Sequence, residues 1–385
     1  MRKLQPEKGY LTIKGLGSWV THLMGPYLTL WLKNIGLSYT QIGLAQSVSS
    51  FTSFITDFPT GGLADRYGRR LNYAFGLFLF SIGLLIIALF KSFTLVLLGM
   101  TLGGLGQAFM SGTLVPWLYD SLDDKRKAYN VFSKMKTING ILGAVAGATA
   151  SLLSRYYLNL PLILSGAFGL LTAVLAVLLL EENYGHHGDK GYWAILKGGA
   201  KHILENRTLH LLLASSLLLT FSARTFFMFW MLLAKNIGLK GEYLGYVYTL
   251  LILSTSLGGA ISVKLSKMID YKKVAVAGTV AFGIVLALMG FTHSIYQLLV
   301  LLVAIEVVMS VRGPAMLTLR NEIIPSEGRS TITSALSTIT SLFAMIANIA
   351  VGAIADAMSL KTLYIIAGCL ALAASLFIAM ATKRA

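Results

Sequence analysis

Long apolar runs alternate with short polar breaks along nearly the whole chain. Each run holds about 20 residues, the length a helix needs to cross a ~30 Å hydrocarbon core and about twice that of a barrel strand. Twelve spans are predicted between the breaks: 11–33, 41–63, 72–90, 93–119, 129–153, 159–180, 209–234, 242–263, 274–291, 295–318, 331–355 and 361–381. The longest break, 181–207, divides the chain into an N-terminal bundle of six (1–180) and a C-terminal bundle of six (208–385). Within it Trp193, Leu196, Ala200, Ile203 and Leu204 recur at helical spacing, while Lys197, Lys201 and Glu205 fall elsewhere. That spacing predicts an amphipathic helix lying in the membrane interface.

Charge orients this pattern. With the N-terminus inside, 24 of the 32 Lys and Arg fall in inner segments, 6 in outer segments, and Arg224 and Arg312 within spans. This bias places both termini, and the 181–207 linker, in the cytoplasm. The composition agrees, with 56% hydrophobic and 12% charged residues and a mean hydropathy of +0.72. A net charge of +16 implies no nucleic-acid partner, because the basic residues are spread through loops rather than gathered on one soluble face. Cys369, the single cysteine, permits no internal disulfide. No cleavage signal follows the first run, so no removed leader is expected. The neighbours His186 and His187 beside Asp189 read as linker polarity, and no metal site is expected.

The two halves repeat. Lys33-Asn34-Ile35-Gly36-Leu37 returns as Lys235-Asn236-Ile237-Gly238-Leu239, an offset of 202 that also pairs Gly43 with Gly245, Arg70 with Lys272, Gly76 with Gly278 and Asp120 with Glu322. Six spans per repeat preserve the orientation, so the halves relate by an axis along the membrane normal. The predicted fold is an all-α membrane protein of 12 transmembrane helices in two pseudo-symmetric bundles.

Between spans two and three stands Gly61-Gly62-Leu63-Ala64-Asp65-Arg66-Tyr67-Gly68-Arg69-Arg70. These residues match the loop motif G-x-L-A-D-R-x-G-R-R of the major facilitator superfamily of secondary transporters, which the whole chain resembles. The repeated stretch 263–272 keeps basic residues but lacks the Asp and both glycines. The resemblance implies a cytoplasmic gate made of Gly61, Asp65, Arg66, Gly68, Arg69, Arg70 and Asp120. Asp65 is to face the start of span eleven near Ser330, where helix amides carry partial positive charge, and Arg69 is to pair with Asp120. The latch is expected to be asymmetric between the halves. Two antiporter signatures of the superfamily are departed from: Met100 stands where an arginine is usual, and Gly140, Gly143 and Gly147 lack an accompanying proline.

Charges inside spans cost roughly 2.5–3.5 kcal/mol each and face the protein interior, which makes them functional candidates. Arg224 lies eleven residues before Lys235, Glu306 eleven after Ile295 and His22 eleven before Lys33, so each is about 16 Å deep at 1.5 Å per residue. His22 is also the repeat mate of Arg224. In the family, spans one, four, seven and ten line the central cavity. The resemblance thus implies a substrate or proton-coupling centre of Glu306, Arg224 and His22, against the alternative of a permanent Arg224–Glu306 pair with His22 as an interior hydrogen-bonding residue. Arg312 and Asp57 lie in the inner halves of their spans. Tyr27, Trp31, Phe227 and Trp117 are the aromatic candidates for the cavity wall.

The expected function is secondary active transport of a small molecule across the cell membrane by alternating access, as proton-coupled export of lipophilic or amphipathic compounds. The alternatives are proton-coupled uptake of a small organic anion and a receptor on the same fold. The expected driving force is the proton gradient, without a cofactor, and the expected state is a monomer in the lipid bilayer. An enzyme is not expected, because no H-E-x-x-H, G-x-S-x-G or P-loop occurs.

Overall fold

The computed structural model describes residues 3–122, 125–184, 206–324 and 329–383. The expected interfacial helix and the pair His186-His187 lie outside the described residues. All regular structure among the described residues is helical, as segments without water must satisfy their own backbone groups. Helices α1 (Pro6–Met24), α2 (Tyr27–Asn34), α3 (Tyr39–Tyr67), α4 (Arg69–Leu89), α5 (Phe93–Met110), α6 (Leu114–Asp120), α7 (Lys125–Ser154) and α8 (Leu160–Leu179) precede the linker. Helices α9 (Arg207–Asn236), α10 (Leu244–Leu265), α11 (Tyr271–Gly290), α12 (Ile295–Ile323), α13 (Arg329–Ala357) and α14 (Leu360–Thr382) follow it.

Ten helices among the described residues are long and apolar enough to cross a membrane. The expected spans 11–33 and 41–63 are not among them. The first is broken between α1 and α2, because Pro26 cannot donate to the helical ladder. The second lies within α3, where Gln41, Gln46, Ser47, Ser49, Ser50, Ser53 and Asp57 lower the hydropathy. The expected span 93–119 matches one of the ten, Phe93–Asp120, with a turn inside it: α5 ends at Met110, Gly112 turns with φ +63°, and α6 begins at Leu114.

The chain forms two compact units. The first comprises 1–37, 45–189 and 240–249, the second 38–44, 190–239 and 250–385. Relative to the expected halves, the units exchange two short segments, and each of these holds one glycine of the repeated pair. Gly43 lies so close to the Asn348 carbonyl of α13 that a Cβ would collide with it, and Gly245 lies equally close to the Gly147 carbonyl of α7. Absence of a side chain at these positions brings backbone against backbone.

Within each unit the packing repeats. In the first, α4 packs on α5 and α8, and α1 on α7 and α8; in the second, α11 packs on α12 and α14, and α9 on α13 and α14. One hydrogen bond repeats with its direction reversed: Ser165 Oγ donates to the Val20 carbonyl at 2.6 Å, and Ser222 Oγ donates to the Ala367 carbonyl at 2.7 Å. Both pairs stand at the 202 offset. The first unit's core gathers Tyr10, Ile13, Leu77, Trp117, Leu118 and Leu180 around the junction of α1, α4, α6 and α8.

Candidate functional site

The loop motif is built from inside its own unit. Gly68 caps α4 with φ +109°, a left-handed conformation that favours glycine, and a Cβ there would run into the Glu182 carboxyl. That carboxylate follows α8 and caps α4: it accepts from the Arg70 amide at 2.7 Å and the Leu71 amide at 3.2 Å, and receives the Arg70 Nε at 3.2 Å. Arg70 Nη1 donates onward to the carbonyls of Val177 (3.3 Å) and Leu180 (3.2 Å) at the end of α8. A guanidinium there meets the negative end of one helix while its carboxylate partner meets the positive end of another. Arg69 Nη1 bonds Asp120 Oδ2 at 2.6 Å, with Arg69 buried and Asp120 half-exposed. Arg66 is exposed and lies 5.3 Å over the Tyr67 ring. The carboxylate of Asp65, the surroundings of Gly61 and the side chains around Ser330 lie outside what is described.

The second half carries an equivalent of the Arg69–Asp120 pair. Lys272 Nζ stands 3.0 Å from Glu322 Oε1, and the Tyr271 hydroxyl also donates to Glu322. The expected asymmetry is therefore partial: the second copy loses Asp65 and the glycines but retains an ion pair between the matching helix ends.

Deeper in the first unit, His22 Nε2 lies 3.3 Å from Asn139 Oδ1 and Nδ1 lies 2.8 Å from the Tyr248 hydroxyl. With Nε2 donating to the amide oxygen, Nδ1 of the neutral ring accepts the phenol proton. Gly143 makes room for this ring, since a Cβ would stand 3.1 Å from it. The sequence pattern singles out neither partner. Tyr248 sits in the second half of the chain, and only its place on a helix end lodged in the first unit reveals it.

The aromatic candidates divide. Tyr27 is fully buried, donates to the Gly241 carbonyl (3.2 Å) and accepts from Ser154 Oγ (3.1 Å) and the Gly245 amide (3.2 Å). Trp31 Nε1 donates to the Ile87 carbonyl and Trp117 Nε1 to the Glu181 carbonyl, each at 2.8 Å. All three bond to backbone carbonyls within the first unit, because a buried N–H or O–H must find an acceptor. Phe227 is 56% exposed, edge-on to Phe226 at 5.2 Å.

In the second unit, Arg224 on α9 and Glu306 on α12 are half-buried, and neither has a hydrogen bond or ion pair among the described residues. The permanent Arg224–Glu306 pair is not formed. Arg312, farther along α12 toward its C-terminal end, packs against α11 instead: its guanidinium lies 5.2 Å over the Phe282 ring, and its Nε is buried without a partner among the described residues. Asp57 is exposed on α3.

Asp356, near the end of α13, carries no signal in the sequence pattern. Its Oδ1 accepts from the Tyr39 amide (2.9 Å), and its Oδ2 from the Thr40 amide (2.7 Å) and hydroxyl (2.6 Å). It therefore caps the start of α3. Among the described residues no group of three or more His, Cys, Asp and Glu is placed to hold a metal ion.

Similarity to known proteins agrees with this architecture. The chain is 28% identical over 176 residues to the Quinolone resistance protein NorA of Staphylococcus aureus (strain MRSA252), a stretch that covers 45% of this chain and 43% of that protein. It is 25% identical over 175 residues to Multidrug resistance protein 1 of Bacillus subtilis (strain 168), again 43% of the relative. The chain thus aligns with less than half the length of these relatives. Its fold is shared with the nucleoside transporter NupG, at a TM-score of 0.80 and 14% identity over 99% of this chain and 100% of that one. It is also shared with a bacterial homologue of the human lysosomal transporter Spinster, at a TM-score of 0.69 and 15% identity over 98% and 95%. The sequence profile of the Major Facilitator Superfamily matches residues 13–267 and 212–385, and with its loop motif and repeated six-helix packing this chain belongs to that superfamily.

Proposed function

We propose that this chain is a secondary active transporter of the plasma membrane, with both termini cytoplasmic, that couples proton movement to export of lipophilic or amphipathic compounds. Membership in the superfamily makes it a multi-pass transporter rather than an enzyme. The finer reading rests on one observation. Glu306 is a carboxylate within an apolar helix, half-buried and without a partner among the described residues. Such a group costs roughly 2.5–3.5 kcal/mol to keep in a span, and a carboxylate free of a fixed counter-ion is able to take up and release a proton during the transport cycle. The resistance proteins among the relatives favour export over uptake.

The test is counterflow and pH-gradient-driven uptake of a quinolone and of a fluorescent amphipathic dye in proteoliposomes holding the purified full chain. Exporter function predicts counterflow accumulation and acceleration by a proton gradient. Binding without accumulation would instead identify a receptor. A second reading, uptake of a small organic anion, draws on Arg224, a guanidinium with no anionic partner among the described residues; anion-selective counterflow would favour it.

A further inference from the structure

The first unit contains a cavity of about 280 Å³ that none of the residues above fills. Lys14 lines it with Ser18, Tyr73 and Ser111, and Leu77 and Phe80 supply apolar wall. Lys14 stands eight residues into α1, about 12 Å along its axis at 1.5 Å per residue, and is half-buried. Its ammonium has no hydrogen bond or ion pair among the described residues, and no carboxylate lines the cavity. The hydroxyls of Ser18, Tyr73 and Ser111 also lack hydrogen-bond partners among the described residues. The break between α5 and α6, with Gly112 turning at φ +63°, opens this space and brings Ser111 to its edge.

The repeat sharpens the reading. At the 202 offset Phe80 corresponds to Phe282 and Met110, also on the cavity, to Arg312. In the second unit the cation comes from α12 and lies on the Phe282 ring. In the first unit that position is the uncharged Met110, and the cation comes from α1 and lines open space. In the second unit the cation lies on the aromatic, and in the first a cation from another helix shares a cavity with the equivalent aromatic. Among the described residues, the first unit's cation is accompanied by unpartnered hydroxyls around a volume that admits a small molecule.

We propose that this cavity takes the anionic head group, carboxylate or phosphate, of an amphipathic small molecule. Lys14 is its counter-ion through a charge-assisted hydrogen bond, the hydroxyls of Ser18, Tyr73 and Ser111 supply further donors, and Leu77 and Phe80 receive the first carbons of the apolar body. The site's purpose rests on the transporter reading and narrows its substrate class to anionic amphiphiles, but binding can be measured without transport.

The experiment uses the full chain in uncharged detergent, with Cys369→Ser and Val115→Cys placing one thiol on the cavity. Benzoate at about ten times its dissociation constant should slow maleimide labelling about tenfold by occupancy, while neutral benzamide leaves it unchanged. Protection should be lost in Lys14→Gln and retained in Lys14→Arg. Phosphatidylglycerol added to the micelles tests the other source: protection by the lipid but not by benzoate assigns the site to a lipid head group, and protection by benzoate assigns it to a soluble carboxylate. Equal protection by benzamide, protection that survives Lys14→Gln, or none from either anion overturns the proposal. If Lys14→Gln does not fold, the contrast between benzoate and benzamide with Lys14 intact decides. Failure of counterflow with Lys14-dependent protection intact removes the transport reading, whereas the reverse removes only this site.

Discussion

At the scale of single residues, position and partner decide what a charge does. Arg69 and Arg70 are adjacent and read alike in the motif, yet they do different work. Arg69 meets the half-exposed Asp120, and such pairs contribute about 0–1 kcal/mol. Arg70 meets Glu182, which is largely buried and also accepts two α4 amides. Glu182→Ala should therefore cost about 1–3 kcal/mol, from a lost cap and unsatisfied amides, whereas Asp120→Asn should cost less than about 1 kcal/mol. Thermal unfolding of the two variants in detergent checks the order; equal shifts would contradict it. His22 offers a second test. Gly143→Val should displace its ring and break the Asn139 and Tyr248 bonds, so His22→Gln added to Gly143→Val should cost little further stability, while His22→Gln alone should cost about 1–2 kcal/mol.

At the scale of elements, the repeat is written in helix crossings. The spacing of Gly43 and Gly245 is plain in the sequence, but its meaning is the close contact each makes, with α13 and with α7. Beside these crossings the two helix starts are satisfied differently. Asp356 caps α3 with a carboxylate, whereas the Tyr246 amide near the start of α10 donates to Ser151 Oγ at 2.9 Å. A carboxylate at a helix N-terminus also gains from the macrodipole. Asp356→Ala should thus destabilise by about 1–2 kcal/mol and Ser151→Ala by about 1 kcal/mol or less. Urea or thermal titration of each variant, with intrinsic fluorescence as the readout, gives the comparison.

For the whole molecule, the proposed function draws on charges that the fold keeps inside apolar helices. Glu306 and Arg224 share a unit without pairing, so each is available to a proton or a solute. In proteoliposomes, Glu306→Gln should abolish acceleration by a pH gradient while leaving solute counterflow within about twofold of the parent, since a protonation step that is no longer made affects only the driven direction. Unaltered gradient-driven transport in Glu306→Gln would falsify the coupling role. Arg224→Gln should instead weaken counterflow itself if the guanidinium contacts solute.

The class of the molecule is legible in its amino acids alone. Twenty-residue apolar runs have few solutions in a bilayer, a 202-residue offset held across half the chain reports a duplicated bundle, and 61–70 matches the superfamily's loop motif. The Arg69–Asp120 pair was legible because the motif and the acidic end of span four fix both partners. The rest follows from which face of a helix a residue takes and from contacts between residues far apart in sequence. Tyr27, Trp31 and Trp117 were drawn to backbone carbonyls, Arg312 to the Phe282 ring, and Lys14 to a cavity beside the turn in span four. Spacing along a helix gives depth but not the identity of the neighbour, and the neighbour sets whether a buried polar group is satisfied or left for a ligand.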